Sequence, residues 1–494
     1  MSIQEYQEKI REKRKQTIFR DFIMEIGSWA TFTFQKNNGL ISKFPKTERI
    51  KKIITTKEFQ ETRDELLKKG KDYDFSKNFF ENYKTLFLET DIFQLIDYGG
   101  NQNADYSDMA LNSKNVYMCV AVINNCENIL YGISVKDNCT NVINGLAIGA
   151  NSENIYQSTS ILNSYKIFYS KFLNNCREIY FSSNLNGCNE CIFCDSLENA
   201  SYHIKNKSYS KEEYLEEKKK ILKEKEKFLD WFLNLPKGGK NINSHDVVGS
   251  AVINSENVKN GYFSYNSKNG KNLILVGGID GNENMFDVIF GGARTANNLY
   301  GIMGANGENI YNSMNITGCS QIYYSYFLNK CSHCLGCIGL QNKSYCILNK
   351  QYSKEEWEIL AEKIFSQMEN DNLLGKFFPG YINPFYFNDT LAFLLGNFSK
   401  EEVTKAGFMW RDEKIKVDIP ENIETIEIRN LSSFQGFDSN GNWKISPLIL
   451  EKIIKDEKGN YYRITKHEYD FLMKYSLPLP EIHWMDRIKI NFGF

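Results

Sequence analysis

Proline, histidine, net charge and long apolar runs are all scarce in this sequence, and each shortage excludes something. Eight prolines in 494 residues, with almost none in the repetitive stretches described below, leave no room for a proline-rich linker or a collagen-like chain. The five histidines (His203, His245, His333, His467 and His483) are scattered and make no HExxH pair, and no GxSxG, Walker loop or spaced GxGxxG before a helix occurs. Lys plus Arg is 60 against 61 for Asp plus Glu, and a net charge of -1 argues against dedicated nucleic-acid or membrane binding. No window reaches roughly eighteen uninterrupted apolar residues, and MSIQEYQEKIREKRKQ lacks the apolar centre of a secretory signal. The chain therefore reads as soluble and cytoplasmic. Its twelve cysteines are too dilute for a disulfide scaffold and read as reduced thiols.

What is present is a texture of Asn, Ser, Cys, Gly, Ile and Tyr from about 105 to 205, and again from about 243 to 350. Aligned on a small residue that usually follows Asn, the first stretch repeats at Ser113, Cys126, Cys139, Ser152, Ser164, Cys176 and Cys188, in steps of 13 and then 12. Three places after each anchor stand Val116, Ile129, Val142, Ile155, Ile167, Ile179 and Cys191. Six places after come Cys119, Gly132, Gly145, Ser158, Ser170, Ser182 and Cys194; nine places after come Val122, Val135, Ile148, Ile161, Leu173, Leu185 and Leu197. A period of three suits neither a flat strand nor a helix. It suits a chain that turns often, with Asn at left-handed corners.

The expected fold is mostly β: a parallel β-solenoid in two blocks of 12–13-residue repeats, with helical caps and insertions and a small α+β C-terminal domain. The expected divisions are a helical or mixed N-terminal cap over 1–100, solenoid block one over 101–209, a helical insertion over 210–240, block two over 241–352, a helical connector over 353–414, and the C-terminal domain over 415–494. Block two repeats less regularly, but LENASYHIKNKSYSKEEY at 197 matches LQNKSYCILNKQYSKEEW at 340, which points to an internal duplication. Each block exits into a helix marked by a capping box, Ser210 with Glu213 and Ser353 with Glu356. The apolar stripes Tyr214, Leu215, Ile221, Leu222, Phe228, Leu229 and Trp357, Leu360, Ile364, Phe365, Met368 read as plugs on the solenoid before they read as partner sites. In the C-terminal domain the expected strands include Ile423–Ile428 and Tyr461–Ile464, and the expected helices Pro447–Ile454 and Lys466–Tyr475.

Chemistry is harder to find. The triplets Cys188, Cys191, Cys194 and Cys331, Cys334, Cys337 have the spacing to offer three thiolates to zinc, with His203 or His333 as a further ligand. The same six positions fall in the inward columns, where cysteine acts as a small apolar filler, and packing is the favoured reading, with no cofactor expected. Asp280, Glu283 and Asp287 form a loose acidic group that suits a cation or a sugar, or a solvated corner. The glycines of VGGIDGNEN and FGGARTANN read as tight corners. Tyr117, Tyr156, Phe168 and Tyr180, one place after the large column, would stack into an outward aromatic ladder able to meet sugars, bases or a protein, unless the inserted helices lie over it. The KIREKRK run reads as a solvated helix face.

The segments NKSYCILNKQYSKEEW at 342, GKFFPGYINPFYFNDT at 375, KAGFMWRDE at 405 and YYRITKHEYDFLMKYSLPLP at 461 resemble a family of uncharacterised Cys/Asn-rich repeat proteins of reduced-genome bacteria of the candidate phyla radiation. The resemblance spans roughly 85–480 and implies architecture rather than activity. Such proteins carry a zinc-ribbon-like tail opening with CPxCR just after LPLP. Here Glu481, Ile482 and His483 follow Pro480 and no cysteine occurs after Cys346, so the zinc function is not implied. The leading expectation is a non-enzymatic scaffold that presents solenoid faces to a protein partner or to copies of itself. A carbohydrate- or ligand-binding solenoid and a thiol–zinc protein are the alternatives.

Overall fold

The computed structural model describes residues 1–37, 39–292, 296–415 and 417–493, with the side chains of Ile279 and Asp280 outside the described set. The chain forms a parallel β-solenoid with helices packed on it. It groups into two units that are discontinuous in sequence: residues 1–97 with 240–412, and residues 98–239 with 413–494. The N-terminal cap thus belongs with block two, and the C-terminal segment with block one.

In the second unit one repeat makes one solenoid turn. Val116 pairs with Ile129, Ile129 with Val142, Val142 with Ile155, Ile155 with Ile167, Ile167 with Ile179, and Ile179 with Cys191. The second large column runs from Val122 through Val135, Ile148, Ile161 and Leu173 to Leu185 in the same way. These side chains and the column cysteines form a single buried core. Two β residues followed by one left-handed residue repeat around each turn: φ is 60° at Asn128, 55° at Tyr131, 53° at Ser134 and 64° at Asp137, and the thirteenth residue of this turn is a second left-handed one at the last bend, Asn138 at 60°. Four inward side chains and four sharp bends therefore share each turn, which is the physical origin of the period of three. Gly145 sits where the interior is tightest: a Cβ there would lie 2.6 Å from both Val142 and Ile148.

The polar columns tie the turns together. Asn115 donates to Asn128, Asn128 to Asn141 and Asn141 to Asn154, at 2.9, 3.1 and 3.2 Å. The small column does the same inside: Ser170 Oγ donates to the Phe168 carbonyl and accepts the backbone N–H of Ser182 from the next turn, at 2.9 and 3.2 Å. Small residues with one donor and one acceptor satisfy the backbone at the bends that sheet pairing cannot reach.

Helices cover the aromatic exteriors. Helix Lys211–Ile221 starts at the Ser210 capping box, but its stripe breaks where the chain turns at Leu222 and resumes in Phe228–Leu233. Of that stripe only Tyr214 and Phe228 are buried; Leu215 is exposed. C-terminal helices Lys466–Tyr475 and Trp484–Asn491 flank a small sheet of Thr425–Glu427, Ile453–Lys455 and Tyr461–Tyr462. The helix expected over Pro447–Ile454 is instead a 3-10 turn, Pro447–Glu451, followed by the strand Ile453–Lys455, because Ile453 and Ile454 pair with Thr425 and Ile426.

In the first unit, block two varies the turn length. His245 pairs with Glu256, Asn282 with Ala296, and Ile322 with Cys334. The sequence separations are 11, 14 and 12, which is why its repeat is blurred in the sequence. Helix Lys354–Asn370, capped by Ser353 and Glu356, buries Trp357, Ile364, Phe365 and Met368, and Trp357 Nε1 donates to the Cys346 carbonyl at 3.2 Å. Helix Ile3–Gln16 lies on the same block, its Tyr6 stacked on Phe365 at 3.7 Å between ring centroids. No helix among the described residues is long and apolar enough to cross a membrane.

Candidate functional site

The structure brings the thiols of each triplet into an inward column and gives each a backbone partner. Cys188, Cys191 and Cys194 lie 3.5, 3.6 and 3.4 Å from the carbonyls of Asn186, Asn189 and Ile192, and Cys331, Cys334 and Cys337 lie 3.4, 3.5 and 3.6 Å from those of Asn329, Ser332 and Leu335. Cys319 Sγ also accepts the N–H of Cys331 from the next turn at 3.2 Å. The thiols do more than fill space: they repeat the serine hydrogen bond with a larger atom. Burial pushes the Cys119 thiol up to about 12. Among the described residues no group of three His, Cys, Asp or Glu side chains is placed to hold a metal ion. His203 stands in register with Cys191 at the end of its column, with Nδ1 2.8 Å from the Ser201 carbonyl, while His333 stacks on Tyr345 and meets Trp357 edge-on.

The exposed aromatic ladder needs correction. Tyr156 and Phe168 are buried, covered by Phe471 and Tyr475 at centroid distances of 6.0 and 5.1 Å, and Tyr180 lies half-buried beneath Lys218. Rings on an outward column carry a large apolar area, and the helices dock there to remove it from water. Tyr117 alone of the four stays at the surface, 36% exposed, with Tyr106 beside it. Block two holds a more regular ladder: Phe286, Tyr300, Tyr311 and Tyr323 stack at 5.5, 5.5 and 5.2 Å with nearly parallel rings. The signal was present, since each follows a large inward residue (Met285, Leu299, Ile310, Ile322), but the irregular turn lengths hid it.

The basic run and the acidic group are corrected at one residue each, Arg14 and Asp287, which meet, while Lys9, Glu12, Lys13 and Lys15 are exposed as a solvated helix face requires. Arg14 is buried, with Nη1 2.8 Å from Glu25 and 3.3 Å from Asp287. Asp287 is fully buried, accepts from Asn272 Nδ2 at 2.7 Å, and burial pushes its carboxyl up to about 6. It is neither a solvated corner nor an open cation ligand. The side chain of Asp280 lies outside the described residues, as do Ala293, Arg294 and Thr295 of the second glycine-rich stretch.

What remains open on block two is a polar groove of about 900 Å³ beside its first turns. Asn254 donates to Asn266 along the groove at 3.3 Å, and the serine column beneath is consumed by the fold: Ser255 and Ser267 donate their backbone N–H groups to Ser244 and Ser255 Oγ at 3.1 Å. One place after these serines, His245, Glu256 and Lys268 form an outward column, with Lys268 paired to Glu256 at 3.2 Å. Glu283, at the far wall, accepts from Asn269 at 3.4 Å. Between these walls lies Asn282, 4% exposed, with neither Oδ1 nor Nδ2 engaged by a hydrogen-bond partner among the described residues. Its amide lies against Gly292, where φ is 73° and a Cβ would stand 2.3 Å from Oδ1. Glycine is thus required at this corner both by its conformation and by the amide beside it. No family model, curated protein or solved structure matches the chain, so the family resemblance rests on the quoted segments alone.

Proposed function

We propose that the protein is a non-enzymatic binding scaffold whose working surface is the polar groove of block two, and that the groove holds an extended segment of a protein partner. The observation that carries this reading is Asn282. A buried amide without partners costs roughly 1–3 kcal/mol, a cost a partner relieves only with a donor and an acceptor side by side. A peptide group has that pattern. The groove is lined largely by Asn and Ser, and its Lys268 and Glu256 already neutralise each other, which suits a polar backbone stretch. The aromatic rings at Tyr156 and Phe168 are already covered by a C-terminal helix, which takes them away from a partner.

The test places a photo-cross-linking residue at Lys268, in the groove, and separately at the exposed Lys259 of the same unit, in cells of the source organism. A cross-linked peptide recovered from position 268 only, and lost when Asn282→Leu is added, supports the reading. Equal capture from both positions, or capture indifferent to Asn282→Leu, refutes it. If the captured peptide comes from this chain, the partner is a second copy.

A further inference from the structure

A second opening lies on the other unit and has a different chemistry. Tyr106 and Tyr117, 46% and 36% exposed, meet edge to face at 5.9 Å between centroids, and Tyr117 continues inward to Tyr131 at 6.1 Å. They line a cleft of about 300 Å³ whose other walls include Asn103, Asn115, Asn128, Asp105 and His467. This is the small end of the range for ligand sites, of the order of 300–1,000 Å³.

Two features of the walls point to a ligand. The first is His467, whose Nε2 is buried without a hydrogen-bond partner. Burial holds its ring toward the neutral form. A neutral imidazole adds no charge to the wall, which suits an uncharged ligand. The second is the amide ladder, in which Asn103 donates to Asn115 and Asn115 to Asn128, at 3.0 and 2.9 Å. Each carboxamide has two N–H bonds and two lone pairs; Asn115 and Asn128 spend one of each on the ladder and Asn103, at its end, one N–H, so the column keeps a row of N–H groups and lone pairs in reserve at the turn repeat, roughly 4.8 Å. Exposed phenol rings beside such a row offer flat apolar faces next to closely spaced polar points. None of the lining residues is lysine or arginine, and Asp105 adds a negative charge on the rim; Arg463, which acts on Tyr117 from outside the lining, donates to the Leu450 carbonyl at 2.8 Å, so the walls themselves offer a phosphate no counter-charge.

We infer that this cleft is a binding site for a neutral saccharide, one face of a sugar ring lying on Tyr117 or Tyr106 and its hydroxyls meeting the Asn ladder and Asp105, beside the ring of His467. Sugars combine C–H faces with hydroxyls that both donate and accept, which is the pattern of these walls. The site is independent of the groove on block two.

The full-length protein is titrated with cellobiose, maltose, xylobiose and chitobiose, followed by saturation-transfer NMR, with ATP as the charged comparison. At least one disaccharide is expected to bind in the millimolar range through its ring C–H protons, and Tyr117→Ala and Tyr106→Ala are each expected to weaken it about tenfold, equivalent to about 1.4 kcal/mol. Far-ultraviolet circular dichroism and the melting temperature identify any variant that has lost its fold; Tyr106, the more exposed ring, provides the second variant. Binding by none of the disaccharides, binding unchanged in a folded Tyr106→Ala or Tyr117→Ala, or ATP binding in their place overturns the inference.

Discussion

Arg487 and Glu468 form an ion pair at 2.6 Å, their side chains 3% and 0% exposed, on two C-terminal helices that face block one. The same guanidinium lies 3.4 Å from the Tyr156 hydroxyl and over the Tyr131 ring, and the Arg487 carbonyl accepts from Gln157 at 3.1 Å. A buried charge pair thus pins the C-terminal segment to an outward face of the solenoid.

Breaking this pair from one side leaves a buried charge without compensation. Glu468→Gln or Arg487→Met is expected to destabilise the second unit by about 3–5 kcal/mol, and the double variant Glu468→Leu with Arg487→Met by much less. Urea unfolding provides the values, and hydrogen exchange over 484–491 identifies the helix that is released. A loss in the double variant as large as the sum of the single-variant losses would show that the pair is not coupled.

The thiols are predicted to be inert in the folded protein. All twelve described cysteines are buried and unpaired as disulfides. Iodoacetamide is expected to leave the native protein unmodified over a period in which the urea-unfolded chain takes up twelve adducts, read by intact mass. Rapid native labelling of Cys191, or zinc retained after chelator dialysis, would reopen the triplets as a site.

Asp287 sets a pH dependence of definite sign. Its carboxyl ionises near 3.8 in the open chain and about 6 when folded, where Arg14, Asn272 and, through Arg14, Glu25 surround it. The folded state therefore holds a proton that the unfolded state has already lost. This contribution makes stability fall as pH rises from about 3.8 to about 6, and it is constant above that range. The difference between wild-type and Asp287→Asn unfolding free energies is expected to slope in that window and to flatten above it. A difference curve flat throughout would refute the assignment.

The corner ladder predicts an ordering of substitutions at Asn141, where φ is 55° and the amide both accepts from Asn128 and donates to Asn154. Asn141→Gly keeps the bend and loses the two side-chain bonds. Asn141→Val loses both, and is expected to be less stable than the glycine variant by about 1–2 kcal/mol, the cost of a left-handed residue with a Cβ. Chemical denaturation of the two variants decides it; the reverse order would count against the corner argument.

Much of the interior was legible in the sequence because one turn equals one repeat: Ile129, Val142 and Ile155 stand in register as their spacing requires. The capping boxes at Ser210 and Ser353 and the helix Lys466–Tyr475 were equally local. The aromatic exterior was not legible. Nothing local distinguishes Tyr117, which stays at the surface, from Tyr156, which a helix more than 300 residues away in sequence covers. The groove around Asn282 was equally hidden, since it depends on turns of unequal length and on the glycine at 292.

By itself, the sequence determined the inward code, since a period of three in side-chain size is a local property that every turn repeats, and Asn at the bends lowers their cost. The tertiary structure decided the rest. It forces residues with no preference for left-handed backbone, such as Tyr131 at 55° and Phe181 at 46°, into bends that stacking alone makes worthwhile. It also chooses which outward rings and charges are sealed, because burying Tyr156 requires a helix from elsewhere in the chain and burying Arg14 requires its own helix to land on block two, and neither meeting has a signature in the residues around it.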